Sequence, residues 1–224
     1  PDTIQLAWTY LFKGYNELRK RDFIGFDANI EYINDLHNEC IYWLLKFIDL
    51  EKMYDFDRNN DYPFYISIYH NLGNTYLHLN TQDDIVSGLE YLYKAKKIVD
   101  TIANMNYNKL YIYRSLGRHL AESGNHRGAI SLYEEGIKKA EKARRVFDIK
   151  NYDNIDPFYW SIAEDFYYME ILSWIANRTY LSYRNLGEYE KAIEYYVLKE
   201  KANDEIYLED YENLIALLEA ESEN

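Results

Sequence analysis

The sequence predicts an all-α fold, an α-solenoid of helix–turn–helix repeats with long N-terminal helices and a C-terminal capping helix. Three observations predict it. Helix breakers are scarce, with 3 prolines and 9 glycines in 224 residues, which disfavours a fold of many tight turns. Apolar residues recur at helical spacing over long stretches. One short phrase is also written twice, as Y-H-N-L-G-N-T-Y-L (Tyr69 to Leu77) and Y-R-S-L-G-R-H-L-A (Tyr113 to Ala121). Both copies run aromatic, two residues, Leu-Gly, two residues, then a large apolar residue.

The elements follow in order. Residues 3–20 place Ile4, Trp8, Leu11, Phe12, Tyr15 and Leu18 on one stripe, and a polar corner follows at Arg21 and Asp22. Residues 23–53 carry Phe26, Ile30, Ile33, Cys40, Leu44 and Ile48 at helical spacing without a breaker, which predicts one long helix. Residues 54–63 read as a loop, and Pro63 suits the start of the next helix. Helices are expected over 64–80, 83–104, 108–123 and 126–146, then a loop over 147–157. A long helix over 158–186 and another over 188–203 precede an acidic cap over 205–221. In that cap, Leu208, Leu214, Ile215, Leu217 and Leu218 would cover the last repeat while Glu209, Asp210 and Glu212 face water.

Nowhere do Pro, Gly and Ser accumulate as in a linker. Residues 1–224 are therefore read as a single domain. Within it, 1–63 form degenerate N-terminal helices, 64–203 three recognisable repeats, and 204–224 the capping helix.

Composition narrows the function. Hydrophobic residues make up 48% of the chain, enough for a real core and too many for disorder. The formal net charge is −13, which argues against nucleic acid or an anionic membrane as the main partner, because both reward clustered Lys and Arg. The single cysteine, Cys40, excludes an internal disulfide framework and a cysteine-based zinc site. It sits on an apolar stripe and reads as core. No apolar run reaches the length of a membrane span and no signal peptide is visible, so a cytoplasmic location is expected. The chain opens on Pro1 without a methionine, as an excised fragment would. The 26 tyrosines suit grooves between helices, where a ring packs and its hydroxyl reaches water.

Each quoted phrase is followed by a second helix with small residues at fixed places. After Leu116 and Gly117 comes G-N-H-R-G-A-I-S-L-Y-E-E-G (Gly124 to Gly136), and near the C-terminus N-L-G-E-Y-E-K-A-I-E-Y-Y (Asn185 to Tyr196). Here the sequence resembles the tetratricopeptide repeat (TPR), a helix–turn–helix of about 34 residues. In the central copy Tyr113, Leu116, Gly117, Leu120, Ala129, Tyr133 and Gly136 fall at the expected places. The preceding copy has Tyr69, Leu72, Gly73, Tyr76, Gly88, Leu92 and Ala95, with three extra residues expected in its turn. The last keeps Tyr183, Gly187, Ala192 and Tyr196, with Tyr180 in place of the close-contact glycine.

The resemblance implies a concave face lined by the first helix of each repeat. Carried over, its inward positions include Ser67, His70, Asn74, Leu77 and His78, then Tyr111, Arg114, Arg118, Ala121 and Glu122. The last copy adds Trp174, Asn177, Leu181, Arg184 and Asn185. Three arginines and two histidines stand there in an acidic protein. Asparagine both donates to and accepts from a bound main chain, and arginine takes a carboxylate through paired hydrogen bonds. The resemblance therefore implies a protein or peptide partner that is acidic or ends in a free carboxylate. The carboxylate clamp of chaperone-binding relatives is matched only at Asn74 and Arg178, while His70, Ser115 and Trp174 depart from it.

Other motifs fail. Asp55, Asp57, Asn59 and Asp61 resemble the start of a calcium loop, but Ile66 stands where a bidentate Glu is needed. His70, Asn74 and His78 share a helical face without a third strong metal ligand. No phosphate loop, dinucleotide fingerprint, zinc-protease helix or nucleophile elbow appears, so neither an enzyme nor a cofactor is expected. The expected function is a non-catalytic protein- or peptide-binding module, a scaffold. The alternative is a peptide-responsive regulatory sensor of a larger signalling or transcription-regulating protein, similar to the repeat domains of Gram-positive pheromone receptors.

Overall fold

The computed structural model describes residues 3–22, 30–54, 62–101, 107–147 and 157–204. Every regular element among them is an α-helix. They are α1 (Thr3–Asp22), α2 (Ile30–Tyr54), α3 (Tyr62–Leu79), α4 (Gln82–Thr101), α5 (Tyr107–Glu122), α6 (His126–Phe147) and α7 (Pro157–Asn185), followed by α8 over 189–204. The chain divides into two compact units, Pro1–Thr101 and Ile102–Asn224. In each, neighbouring helices pack in order as pairs, the arrangement of TPR-like repeats in an α-solenoid. Residues 23–29, the acidic run 55–61 and the expected cap 205–221 lie outside the described residues.

In the first unit α1 packs on α2, α2 on α3, and α3 on α4. Ala7 and Leu11 of α1 meet Cys40, Leu44 and Ile48 of α2 and Ile68 and Leu72 of α3 in one apolar core. Burying each leucine contributes about 1.5–3 kcal/mol. The expected α1 stripe needs correction, since Trp8 and Phe12 are exposed and Ala7, Leu11 and Gly14 are buried. The buried seam of α1 is narrow, and small residues in it let the helices approach. A Cβ on Gly14 would stand 2.8 Å from Leu44 Cδ2. Ile30, expected on the α2 stripe, is likewise exposed at the start of its helix.

The α3–α4 turn has only Asn80 and Thr81 between the helices. Asn80 adopts φ 60°, a left-handed conformation that asparagine tolerates better than most residues. Thr81 caps α4: its hydroxyl accepts from the Asp84 backbone N–H at 3.2 Å and donates to the Asp84 carboxylate at 2.5 Å. The three extra residues expected in this turn instead lengthen the helices, mostly the first turn of α4. Gly73 still faces Leu92, just as Gly117 faces Tyr133 in the next pair.

In the second unit α5 packs on α6, α6 on α7, and α5 on α7. Gly117 meets Tyr133 and Gly136 meets Tyr113. Contacts that advance along one helix and retreat along the other mark α5 and α6 as antiparallel. Gly124 (φ 83°) and Gly187 (φ 76°) end α5 and α7, and each closes the paired carbonyl bonds of a Schellman turn. Asn125 N–H donates to Leu120 and Gly124 N–H to Ala121, as Glu188 N–H does to Tyr183 and Gly187 N–H to Arg184. Ala192 and Tyr195 of α8 pack with Ile130, Tyr180, Tyr183 and Leu186.

Candidate functional site

Helix α5 spaces Tyr111, Arg114 and Arg118 three and four residues apart, which puts them on one face. The buried line Leu110, Ile112, Tyr113 and Leu116 anchors the rest of that helix. Helix α7 spaces Trp174, Asn177 and Arg178 in the same way, and it packs on α5. The two faces meet at an aromatic platform. The Arg114 guanidinium carbon lies 4.3 Å from the Trp174 ring centroid and 5.5 Å from that of Tyr111. Arg178 stands 4.9 Å from the same Trp174 centroid. Such contacts contribute about 0.5–2 kcal/mol each, more as they are desolvated. Trp174 in turn meets Tyr133 edge-on, with centroids 6.4 Å apart at 79°.

None of Arg114, Arg118 and Arg178 forms an ion pair or side-chain hydrogen bond among the described residues. Burial lowers the Arg114 pKa, with Arg118 and Arg178 acting in the same sense, while Tyr111 and Glu170 oppose them. The guanidinium stays charged regardless. Beside Trp174, the fully buried Tyr133 carries a hydroxyl with no hydrogen-bond partner. Burial drives its pKa up, with Arg178, Arg118 and Arg114 pulling it down and Glu122 pushing it up. The hydroxyl is therefore a neutral donor within the field of the three arginines.

A cavity of about 280 Å³ opens here, lined by Arg114, Trp174 and Asn177 together with Glu170, Ser173 and Lys199. Two of these polar groups are engaged: Ser173 donates to Asn203 at 2.6 Å, and Lys199 to Glu200 at 2.7 Å. The Asn177 side-chain amide has no hydrogen-bond partner among the described residues. The site thus offers an unpaired cation, an uncommitted amide and an indole wall.

Of the expected site residues, Tyr111, Arg114, Arg118, Trp174 and Asn177 fall in this region. Arg184 does not: it is exposed in the last turn of α7, where a cation complements the helix dipole. His70, Asn74 and His78 belong to α3 in the other unit. There Asn74 Nδ2 donates to His70 Nε2 at 2.9 Å, leaving the imidazole proton on Nδ1. Asn74 Oδ1 is buried without a partner. His78 stacks on His37, centroids 5.4 Å apart at 4°. Tyr133, Glu170 and Lys199 were not singled out as site residues by the sequence. Arg178 was visible only as a clamp match, although its position four residues beyond Trp174 signals a shared face. Among the described residues no group of three His, Cys, Asp or Glu side chains could hold a metal ion. No described helix is long and apolar enough to cross a membrane.

Residues 181–198 match the tetratricopeptide repeat. The match runs from the last turn of α7 through the Gly187 turn into α8, and takes in Tyr183, Ala192 and Tyr196. Together with the paired helices it makes the protein a helical repeat protein in which one repeat is matched. The chain matches no curated protein.

Proposed function

We propose that the protein is a non-catalytic module that binds a protein or peptide segment through the exposed parts of its repeat helices. The repeat match supports a protein-interaction role in general, because helical repeats offer extended surfaces between stacked units. The observation that carries the proposal is the cavity beside Trp174, where Arg114 has no carboxylate partner and the Asn177 amide has none of its own. Arg114 would take a carboxylate or other acidic group on the segment, and Asn177 would hold its main chain. Tyr111, Arg118 and Trp174 would border the segment. In the other unit, taken by itself, His70, Asn74 and His78 of α3 would form a separate contact for a partner segment.

The test is affinity for a partner recovered from the source cell and then purified. Arg114→Ala combined with Asn177→Ala should weaken binding by about 2–5 kcal/mol if Arg114 pairs with a buried partner charge. Circular dichroism of the variant should match wild type. Equal affinity for both proteins would move function off this surface.

A further inference from the structure

We infer that Arg114, Arg118 and Arg178 form a site for a phosphoryl group carried on the bound segment, an inference that rests on the binding reading above. Several surface cations elsewhere in this acidic chain are neutralised locally. Lys20 pairs with Glu17, Lys94 with Glu90, Lys96 with Asp100, and Arg127 with Glu188. The three arginines are not, although Glu122 and Glu170 stand close enough to be felt by Tyr133 and Arg114 respectively. Two helices thus hold three like charges within one another's field, two of them, Arg114 and Arg178, over a single indole ring. That arrangement is costly when empty and is relieved by an anion.

The charge and donor count select the anion. A carboxylate brings one charge and two oxygens, which one guanidinium satisfies through paired bonds. A phosphoryl group brings a charge of about −1.5 to −2 at neutral pH and three strong acceptor oxygens, which suits three guanidinium groups. Of the three arginines, Arg114 lines the adjoining cavity of about 280 Å³, which can admit a phosphorylated side chain. Glu170 on its wall repels a second acidic residue, so a single phosphoryl group in uncharged surroundings is favoured over a polyacidic run. Asn177 is then placed for the adjoining main chain.

The experiment follows arginine side-chain ¹⁵N resonances of the whole chain during titration. The probes are a capped Ala/Gly pentapeptide with a central phosphoserine, its unphosphorylated twin, and inorganic phosphate. Saturable shifts at all three arginine Nε signals are expected with the phosphopeptide, and affinity at least ten-fold lower for the twin. Affinity should fall as the pH drops through about 6, where the phosphoryl group loses its second charge. Arg114→Gln with Arg178→Gln should abolish saturation. Because both residues pack on Trp174, Arg118→Gln, which contacts no ring among the described residues, supplies an independent variant, with at least a three-fold loss expected. No saturable shift, equal binding of the twin, or undiminished binding by these variants would overturn the site. Inorganic phosphate binding as tightly as the phosphopeptide would overturn its assignment to a partner segment. The probes contain no partner protein, so a negative result here leaves binding of an unphosphorylated segment standing.

Discussion

Gly117 shows most directly how single residues set this structure. A Cβ there would stand 2.2 Å from Tyr133 Cε1 and 2.6 Å from Cδ1, well inside van der Waals contact with a fully buried ring. The ring has no retreat, because Tyr133 is also held edge-on by Trp174. Gly117→Leu should therefore overpack the α5–α6 contact and destabilise the fold by about 1–3 kcal/mol or more. Thermal unfolding checks this, and a melting temperature equal to wild type would refute the contact. The same ring joins architecture to site: its edge fills the helix contact while its buried hydroxyl feels the charges of the three arginines. Arg114 is also double-natured, since its guanidinium packs on Trp174 and is not simply a solvated charge.

At the scale of elements, the three C-terminal helices are joined through one carboxylate. Glu134 of α6 accepts from Tyr183 of α7 at 2.6 Å and from Tyr195 of α8 at 2.9 Å, and the two rings stack with centroids 5.5 Å apart. Glu134→Ala should cost about 1.5–3 kcal/mol, the range for hydrogen bonds to a charged group, read from urea unfolding. Burial, then the bonds to Glu134, raise both tyrosine pKa values from the ordinary 10.0. The folded state therefore keeps these protons to higher pH than the unfolded state. Their contribution is complete below pH 10 and is lost as pH rises beyond it. The double variant Tyr183→Phe and Tyr195→Phe should show a shallower loss of stability between pH 9 and about 11. An equal slope would remove these two groups from the alkaline transition.

These elements also show what the sequence made legible. Helix-period spacing and scarce breakers predicted the paired helices, and the repeat put Gly117 at a close-packing position, while the ring it faces, Tyr133, is set by how α6 lies on α5. The α1 seam is hidden from a periodicity of large residues, because its buried line runs through Ala7 and Gly14. The extra residues after Gly73 were placed in the turn because helix length is not written in the spacing of packing residues. The site was half legible. Arg114 and Trp174 could each be picked by position, but their stacking depends on how α5 lies on α7, which spacing along either helix does not specify. Tyr133 looked like packing alone, because burial of its ring says nothing about whether its hydroxyl finds a partner.

At the scale of the whole molecule, the arginines sit in a chain of net charge −13, so an anionic ligand meets two opposing fields. At a distance it approaches a negative body and is repelled, and at contact it is held by local cations. Salt screens both, but over different lengths. The Debye length shrinks from about 30 Å at 0.01 M to about 8 Å at 0.15 M. Added salt should therefore remove the long-range repulsion first, while the half-buried pairs at contact are screened less. For the phosphoserine pentapeptide, the association rate constant should rise by a few-fold between 0.01 and about 0.15 M salt. The dissociation rate constant should change little over that range and rise only at higher salt, so affinity passes through a maximum. Stopped-flow measurements on wild type and Arg118→Gln separate the two rates. An association rate that falls steadily with salt would mean that the ligand meets a positive approach path, with local arginines outweighing the total charge even at long range. If dissociation alone carried the salt dependence, the net charge of the chain would play no part in recognition at this site.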